Sequence, residues 1–368
     1  MRIMHLLASG GTGGIETLCR DYAQYSHHEN TFVFLWGKDD ARYLEMKENG
    51  ADVIQLNASK KHLFRMLKQI DDIRKSKQIQ IVVAHHAAPM EYVYLIWAKK
   101  RLDSDIKTII YAHGNAVDMW RANRKGAAIR KKILKAAIKH ADQIIAVSKS
   151  VKRSLEQYFD VSKGKIDVVY NGVDLRRFRP EEISKRRTDC VQFIYVGRLI
   201  EEKGVQFTLK ALSELPSELK WSFQIVGDGP YRETLEAYCN QLGLEDRVRF
   251  LGTRQDVPDL LSQADVFIHM PVWEEGFGIT IIEAMAMGLL CICSDNGAIP
   301  EIIHNQNNGL LVESGNIRQL TLCLEYVLIH WDEGKFDILR ENGIHDSRRY
   351  SSDYFSNQLD QNFERIIL

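Results

Sequence analysis

The feature that most constrains this chain is an alternation that runs through it twice. Short runs dense in Val, Ile and Leu are separated by longer segments of helical period. In the first half the runs lie at 3–8, 31–36, 79–84, 107–112, 143–147 and 167–170, with helical stretches such as 14–26 and 60–76 between them. In the second half they lie at 192–196, 221–226, 247–251, 265–269, 290–294 and 310–312. A strand with one wet face would alternate apolar and polar residues. These runs are almost continuously apolar, so both of their faces are buried, as in parallel sheets covered by helices. A strand–helix rhythm of this kind specifies an α/β protein.

The rhythm breaks near 171–187, where NGVDLRRFRP and the charged EEISKRR separate the two strand sets. At 368 residues the chain exceeds one typical domain, which runs to ~150 residues. The reading is two Rossmann-like, doubly wound parallel-sheet domains facing a cleft, residues 1–175 and 176–346. The stretch 347–368 has helical period, with Tyr354, Leu359, Phe363 and Ile367 on one face. No strand follows it, so it either caps the second domain or crosses back to the first.

Net charge is zero, yet the halves differ sharply. Residues 1–180 hold 32 Lys and Arg against 19 Asp and Glu, a balance of +13, and residues 181–368 hold 17 against 30, or −13. Such asymmetry points the basic half toward an anionic ligand or surface. Between Trp120 and Arg153 eleven basic residues stand against one acid, Asp142. Within this stretch 127–140 has helical period, with Ile129, Ile133, Ala136 and Ala137 between the cations, the pattern of a helix lying on an anionic leaflet. A second basic run spans Lys60 to Lys77. A solvated helix face would give the same pattern.

Composition excludes several classes. The longest apolar run, 92–98, is far below the ~18 residues of a membrane span. The run 3–8 is too short for a signal-peptide core. Cys19, Cys190, Cys239, Cys291, Cys293 and Cys323 form no CxxC pair and show no metal-ligand spacing. Free thiols in a cytoplasmic, soluble protein are expected, with Cys291 and Cys293 on one side of a buried strand.

The first strand runs into SGGTGGIE, Ser9 to Glu16. Gly11 and Gly13 fit a dinucleotide fingerprint, but its third glycine position holds Glu16, and no P-loop Gly-Lys-Ser/Thr follows. A glycine turn before a helix still offers backbone N–H groups to an anion, although a plain strand-to-helix turn accounts for it equally. The second half says more. VGRLIEEKG (196–204) places Arg198 and Lys203 at the carboxyl edge of a sheet, where open α/β folds bind ligands. Two cations there suit a diphosphate. VGDGP, with Gly227, ends the next strand, and FLG followed by Thr253 and Arg254 ends a third. In PVWEEGFGITIIEAMAMG (271–288), seven residues separate Glu275 from Glu283. A helix starting near Gly278 carries Glu283 among Ile281, Ile282, Ala284 and Met285, apolar company that argues against a solvated face. One Asp-x-Asp string, Asp103-Ser104-Asp105, lies between a helix and a strand at the wrong edge of the sheet for a metal site.

This ordered series resembles glycosyltransferase family 4, retaining enzymes of the GT-B fold. GGIE (13–16), His113-Gly114, NGVD with Phe178, GRLIEEKG, GDGP, FLG, the EGFG–E pair, GAIPE (297–301) and NNGLLV (307–312) each match the family in turn. The resemblance implies sugar transfer from a nucleoside-diphosphate sugar, UDP-linked first and GDP-mannose second. The acceptor it implies is a glycan or polyprenyl-linked acceptor in bacterial cell-surface polysaccharide synthesis. It implies that Arg198 and Lys203 hold the diphosphate, that Glu283 holds the ribose, and that Glu275 with the backbone of Gly276, Phe277 and Gly278 holds the sugar. His113 falls near the sugar, Gly14 near the phosphates or acceptor, and the backbone near Arg254 at the base. The terminal helix 347–368 returns to the first domain. No metal and no other cofactor is expected, since the two cations replace one. No nucleic-acid partner is expected, and any membrane association is peripheral, at the inner face. His-Asp is frequent in the family where this chain has His113-Gly114, and proline where it has Glu313. Two other classes fit the fold: a sugar-nucleotide epimerase or phosphorylase, and a catalytically silent partner of another transferase. An epimerase needs a different acidic set, a phosphorylase a pyridoxal lysine, and a silent subunit would not need His113, Arg198, Lys203, Glu275 and Glu283 together.

Overall fold

The computed structural model describes residues 1–10, 13–37, 40–56, 62–85, 89–101, 106–116, 126–162, 164–179 and 190–367. They form two compact units, Met1–Gly172 with Ser352–Leu368, and Val173–Ser351. Asp103, Ser104 and Asp105, the Gly11 position, and the basic residues Arg121, Arg124 and Lys125 lie outside the described residues.

The first unit is built on a parallel sheet of β1 (Arg2–Leu7), β2 (Glu29–Phe34), β3 (Asp52–Gln55), β4 (Ile81–His85), β5 (Lys107–Ala112), β6 (Gln143–Ala146) and β7 (Ile166–Val168). The strand order is β3-β2-β1-β4-β5-β6-β7. Between the strands run α1 (Gly14–Tyr25), α2 (Ala41–Glu48), α3 (Leu63–Ser76), α4 (Pro89–Arg101), α5 (Ala127–His140) and α6 (Lys149–Phe159). Ile3, Val33, Val83, Ile110 and Ile145 are wholly buried, each such side chain contributing about 1.5–3 kcal/mol. The strand β3 escapes the sequence reading because it is an edge strand, half-buried or exposed along its length, with no continuous apolar run. Helix α5 packs on α4 and turns Leu134, Ala137 and Ile138 inward. Ala137 therefore belongs to the core and not to an outward apolar stripe, whereas Ile129 is 65% exposed among Arg130, Lys131 and Lys132.

The second unit repeats the plan with β8 (Val191–Val196), α7 (Val205–Ser213), β9 (Trp221–Val226), α8 (Arg232–Gln241), β10 (Val248–Gly252), α9 (Val257–Ser262), β11 (Val266–His269), α10 (Ile279–Ala286), β12 (Leu290–Ser294), α11 (Ile299–Ile302), β13 (Leu310–Val312), α12 (Ile317–His330) and α13 (Asp337–Ser347). Its parallel sheet has the order β10-β9-β8-β11-β12-β13. Phe193, Phe223, Ile268 and Ile292 from the strands meet Leu209, Leu235 and Leu320 from the helices in one core. Cys291 and Cys293 are buried in β12, and burial pushes both thiols up. All six cysteines are free thiols.

The last helix, α14 (Ser352–Ile367), belongs to the first unit and packs on α1. The stretch 347–368 is thus not one helix: α13 ends at Ser347, and a tight turn at Arg348–Tyr350 precedes α14. Its buried face is Phe355, Leu359 and Phe363, four residues apart, while Tyr354 is 54% exposed and Ile367 36%. The expectation that Tyr354 and Ile367 share that face is corrected: Tyr354 lies about 100° around the helix from Phe355, and Ile367, which continues the series, stands exposed as the last residue of the helix. Asp360, fully buried, accepts from the Tyr22 hydroxyl, from Ser26 Oγ at 2.9 Å and from the His27 backbone N–H at 3.1 Å. Gly172 permits the approach, since a Cβ there would lie 2.8 Å from Ser352 Cα. No described helix is long and apolar enough to cross a membrane.

Candidate active site

In each sheet the direction of winding reverses at one place, between β1 and β4 and between β8 and β11. Ligands of open parallel sheets bind outside the strand carboxyl ends at such a switch point. In the second unit the loop after β8 carries Arg198 and Lys203, and the loop after β11 carries Glu275. These loops are locked together. The Val272 N–H donates to the Glu202 carbonyl at 3.0 Å, and Ala298 N–H to the Glu275 carbonyl at 2.9 Å. Gly204 has φ +72°, and a Cβ there would lie 1.8 Å from the Met270 carbonyl oxygen. At Gly297, φ +60°, a Cβ would lie 2.4 Å from the Glu275 backbone. Side chains at either position would push the loops apart.

The folded loops bring together a trio that spacing alone does not reveal. Lys203 Nζ donates to Glu275 Oε2, and the same oxygen accepts from His269 Nε2 at 3.0 Å. His269 is the last residue of β11, buried, with its ring stacked 5.9 Å from Tyr195 and 6.0 Å from Phe267. Burial alone would push the Glu275 carboxyl up. The Lys203 ammonium and the His269 hydrogen bond override it and hold the group far below the usual carboxylate range. Burial pushes His269 down, against the pull of Glu275, so the ring is neutral. An ionised carboxylate only accepts, which puts the ring proton on Nε2 and leaves Nδ1 bare. That atom is buried and has no hydrogen-bond partner among the described residues.

The other expected residues of this unit lie on the loops after β8, β9, β10 and β11 and on α10. Arg198 is exposed, its carbonyl accepting from the Tyr195 hydroxyl at 3.1 Å, and its guanidinium makes no ion pair among the described residues. Gly276 and Phe277 are buried, with the Phe277 ring 5.7 Å from that of Tyr350. Gly278, φ +105°, starts α10 without a side-chain cap, and Glu283 stands half-buried within that helix. Gly227, φ +129°, packs where a Cβ would lie 1.9 Å from the Gly197 carbonyl oxygen. Arg254 follows β10 at the far side of the sheet, its guanidinium held by Asp256 at 2.8 and 2.6 Å.

In the first unit Gly14 opens α1, again without a side-chain cap. His113 follows β5, and its Nε2 lies 3.0 Å from Nδ1 of His85, the last residue of β4. His85 Nε2 lies 3.0 Å from His5 Nδ1 on β1. Sequence reasoning names His113 and misses His5, His85 and His269. A histidine ending an apolar strand at the carboxyl edge is the signal that would have found His85 and His269, whereas His5 lies inside β1 and carries no such mark.

Two Rossmann-type units in one chain, with charged loops at a switch point, define the GT-B class. The structure of Anabaena HepE with UDP-glucose shares this fold at a TM-score of 0.85 and 22% identity, covering 99% of this chain and all of that one. The chain belongs to glycosyltransferase family 4: the Glycosyltransferase Family 4 model matches residues 12–177 and the Glycosyl transferases group 1 model matches 178–344. An uncharacterised glycosyltransferase of Methanocaldococcus jannaschii is 33% identical over 201 residues, 51% of each chain. The UDP-Gal:alpha-D-GlcNAc-diphosphoundecaprenol alpha-1,3-galactosyltransferase of Escherichia coli is 30% identical over 246 residues, 62% of this chain and 61% of that one. The matched stretch thus spans about half to two thirds of these relatives' length.

Proposed function

We propose that the protein transfers a sugar from a nucleoside-diphosphate sugar to a glycan or polyprenyl-linked acceptor of a bacterial cell-surface polymer, with retention and without a metal. The observation that carries this reading is the Lys203–Glu275–His269 trio at a switch point, with exposed Arg198 on the same loop as Lys203. Sugar transfer needs stabilisation of the diphosphate that leaves the anomeric carbon. Arg198 supplies a planar fork of donors for it, and Lys203 a point charge that a diphosphate draws from Glu275. Glu275, kept ionised, accepts from sugar hydroxyls, with the backbone of Gly276, Phe277 and Gly278 beside it. Glu283 on α10 holds the ribose diol, Gly227 admits the nucleotide close to the backbone, and the chain near Arg254 meets the base. The first unit contributes His113 and the α1 start at Gly14, and receives the acceptor. UDP is the preferred nucleotide and GDP the second. The Escherichia coli relative, named for UDP-galactose and an undecaprenol-linked acceptor, supports this order and the lipid-linked acceptor.

A panel of sugar nucleotides, with released nucleotide measured with and without EDTA, tests the proposal. Turnover of a UDP- or GDP-sugar by the purified chain, unchanged by EDTA, is expected. No turnover of any member, or turnover abolished by EDTA and restored by Mn²⁺, would refute the activity or its metal independence respectively.

A further inference from the structure

The three imidazoles of the first unit stand in series across neighbouring strands, and their protons can be placed one at a time. His5 Nε2 lies 3.1 Å from Asn30 Oδ1. The Asn30 Nδ2 group donates to the His28 carbonyl at 3.1 Å and to Ser26 Oγ at 2.9 Å. A carbonyl oxygen can only accept, so the amide cannot be reversed, and its oxygen faces His5. His5 therefore carries a proton on Nε2. His5 and His85 are 0% and 2% exposed. Burial pushes His5 down to about 4 and His85 well below its ordinary value, so each ring holds one proton. With Nε2 of His5 occupied, its Nδ1 is bare and accepts from His85 Nε2. His85 Nδ1 is then bare in turn and accepts from His113 Nε2.

We propose that the buried chain Asn30–His5–His85 fixes the tautomer of His113, holding its proton on Nε2 toward the interior and leaving Nδ1 unprotonated. Asn30, His5 and His85 are positioning residues that act through His113. Tyr111, its ring 4.4 Å from His113 and 5.4 Å from His85, limits reorientation of both rings. In the proposed sugar transfer this placement is what Asn30, His5 and His85 supply to His113; the placement itself does not rest on that reading.

The full chain labelled with ¹⁵N-histidine, observed by two-bond ¹H–¹⁵N correlation at about pH 8, where ordinary imidazoles are neutral, tests the chain directly. His5, His85 and His113 should each show a protonated Nε2 and a bare Nδ1. His85→Phe should turn His113 into a tautomer mixture, and His85→Gln, whose amide both accepts and donates, should restore the single form. Wild-type His113 protonated on Nδ1 would overturn the proposal, as would an unmixed His113 in a folded His85→Phe. If His85→Phe does not fold, the wild-type pattern alone decides. Absence of sugar-nucleotide turnover with the expected proton pattern present would refute the proposed function while supporting the chain.

Discussion

Removing the Lys203 ammonium while keeping its stem, as in Lys203→Met, isolates the electrostatics of the trio. Lys203 and Glu275 side chains are 25% and 15% exposed. Breaking a fully buried pair costs about 3–5 kcal/mol, and partial exposure moves this one to about 2–3 kcal/mol. In a unit of this size that corresponds to a melting shift of about 5–10 °C. The pH dependence carries the sharper test. In the native protein Glu275 is held below its unfolded value, so its contribution is present above that value and is lost only as pH falls through the folded one. Without Lys203, burial dominates and the folded value rises above the unfolded one. A proton, on Glu275 or His269, then stabilises the variant, and that stabilisation is lost as pH rises. The deficit measured by thermal unfolding should therefore be larger at about pH 8 than at about pH 5, and adding Glu275→Gln should recover most of it. An equal deficit at both pH values, or a double variant no more stable than the single one at the higher pH, would refute the reasoning.

Four further outcomes follow from the same geometry. Arg198→Ala should lower kcat by on the order of 10²–10³, the loss expected when a strong donor to a leaving anion is removed; single-turnover kinetics would measure it. Glu283→Ala should weaken binding of free UDP or GDP in calorimetry while Glu275→Ala spares it, and the reverse pattern would exchange their assigned roles. Gly297→Ala, which sets a methyl group against the Glu275 backbone at positive φ, should cost roughly 1–3 kcal/mol in thermal unfolding and a larger share of activity. Cosedimentation with anionic vesicles should fall with salt and weaken when Arg130, Lys131 and Lys132 become Ser; a protein left in the supernatant at low salt would favour a soluble acceptor.

The fold was legible because doubly covered parallel strands must be apolar along their whole length. Each of the twelve apolar runs overlaps a strand, and two Rossmann-like sheets follow from their order, while the GT-B class comes from the ordered motifs. The exception, β3, sits at a sheet edge and needs only half its surface covered, so DVIQ carries too little signal. The face of α14 is ambiguous in the sequence because Tyr354 and Phe355 are adjacent aromatics, and only the i, i+4, i+8 series through Leu359 and Phe363 decides which one is buried. For the candidate site, the glycine turns and the cations at strand ends are written locally and could be read. The pairing of Lys203 with Glu275 depends on two loops 72 residues apart meeting at a switch point, which no local pattern encodes. His5 and His85 lay hidden for a related reason: within an apolar strand a histidine reads as an irregularity until its neighbours across the sheet are known.

Both units place neutral imidazoles at their switch points, yet the partner chosen for each ring sets a different electrical character. In the second unit His269 donates to a carboxylate, and that carboxylate survives burial because Lys203 stands on its other side. The result is a buried charge pair whose cation a stronger anion can capture. In the first unit the terminal partner is the Asn30 amide, and neither His5 nor His85 makes an ion pair among the described residues. With no net charge to compensate, the chain of rings can run through the dry interior at little desolvation cost, since every proton it contains has an acceptor. Under the proposed transfer, the cation a leaving diphosphate would draw away is the one that keeps Glu275 ionised, so donor binding and the state of that carboxylate would be coupled within the second unit.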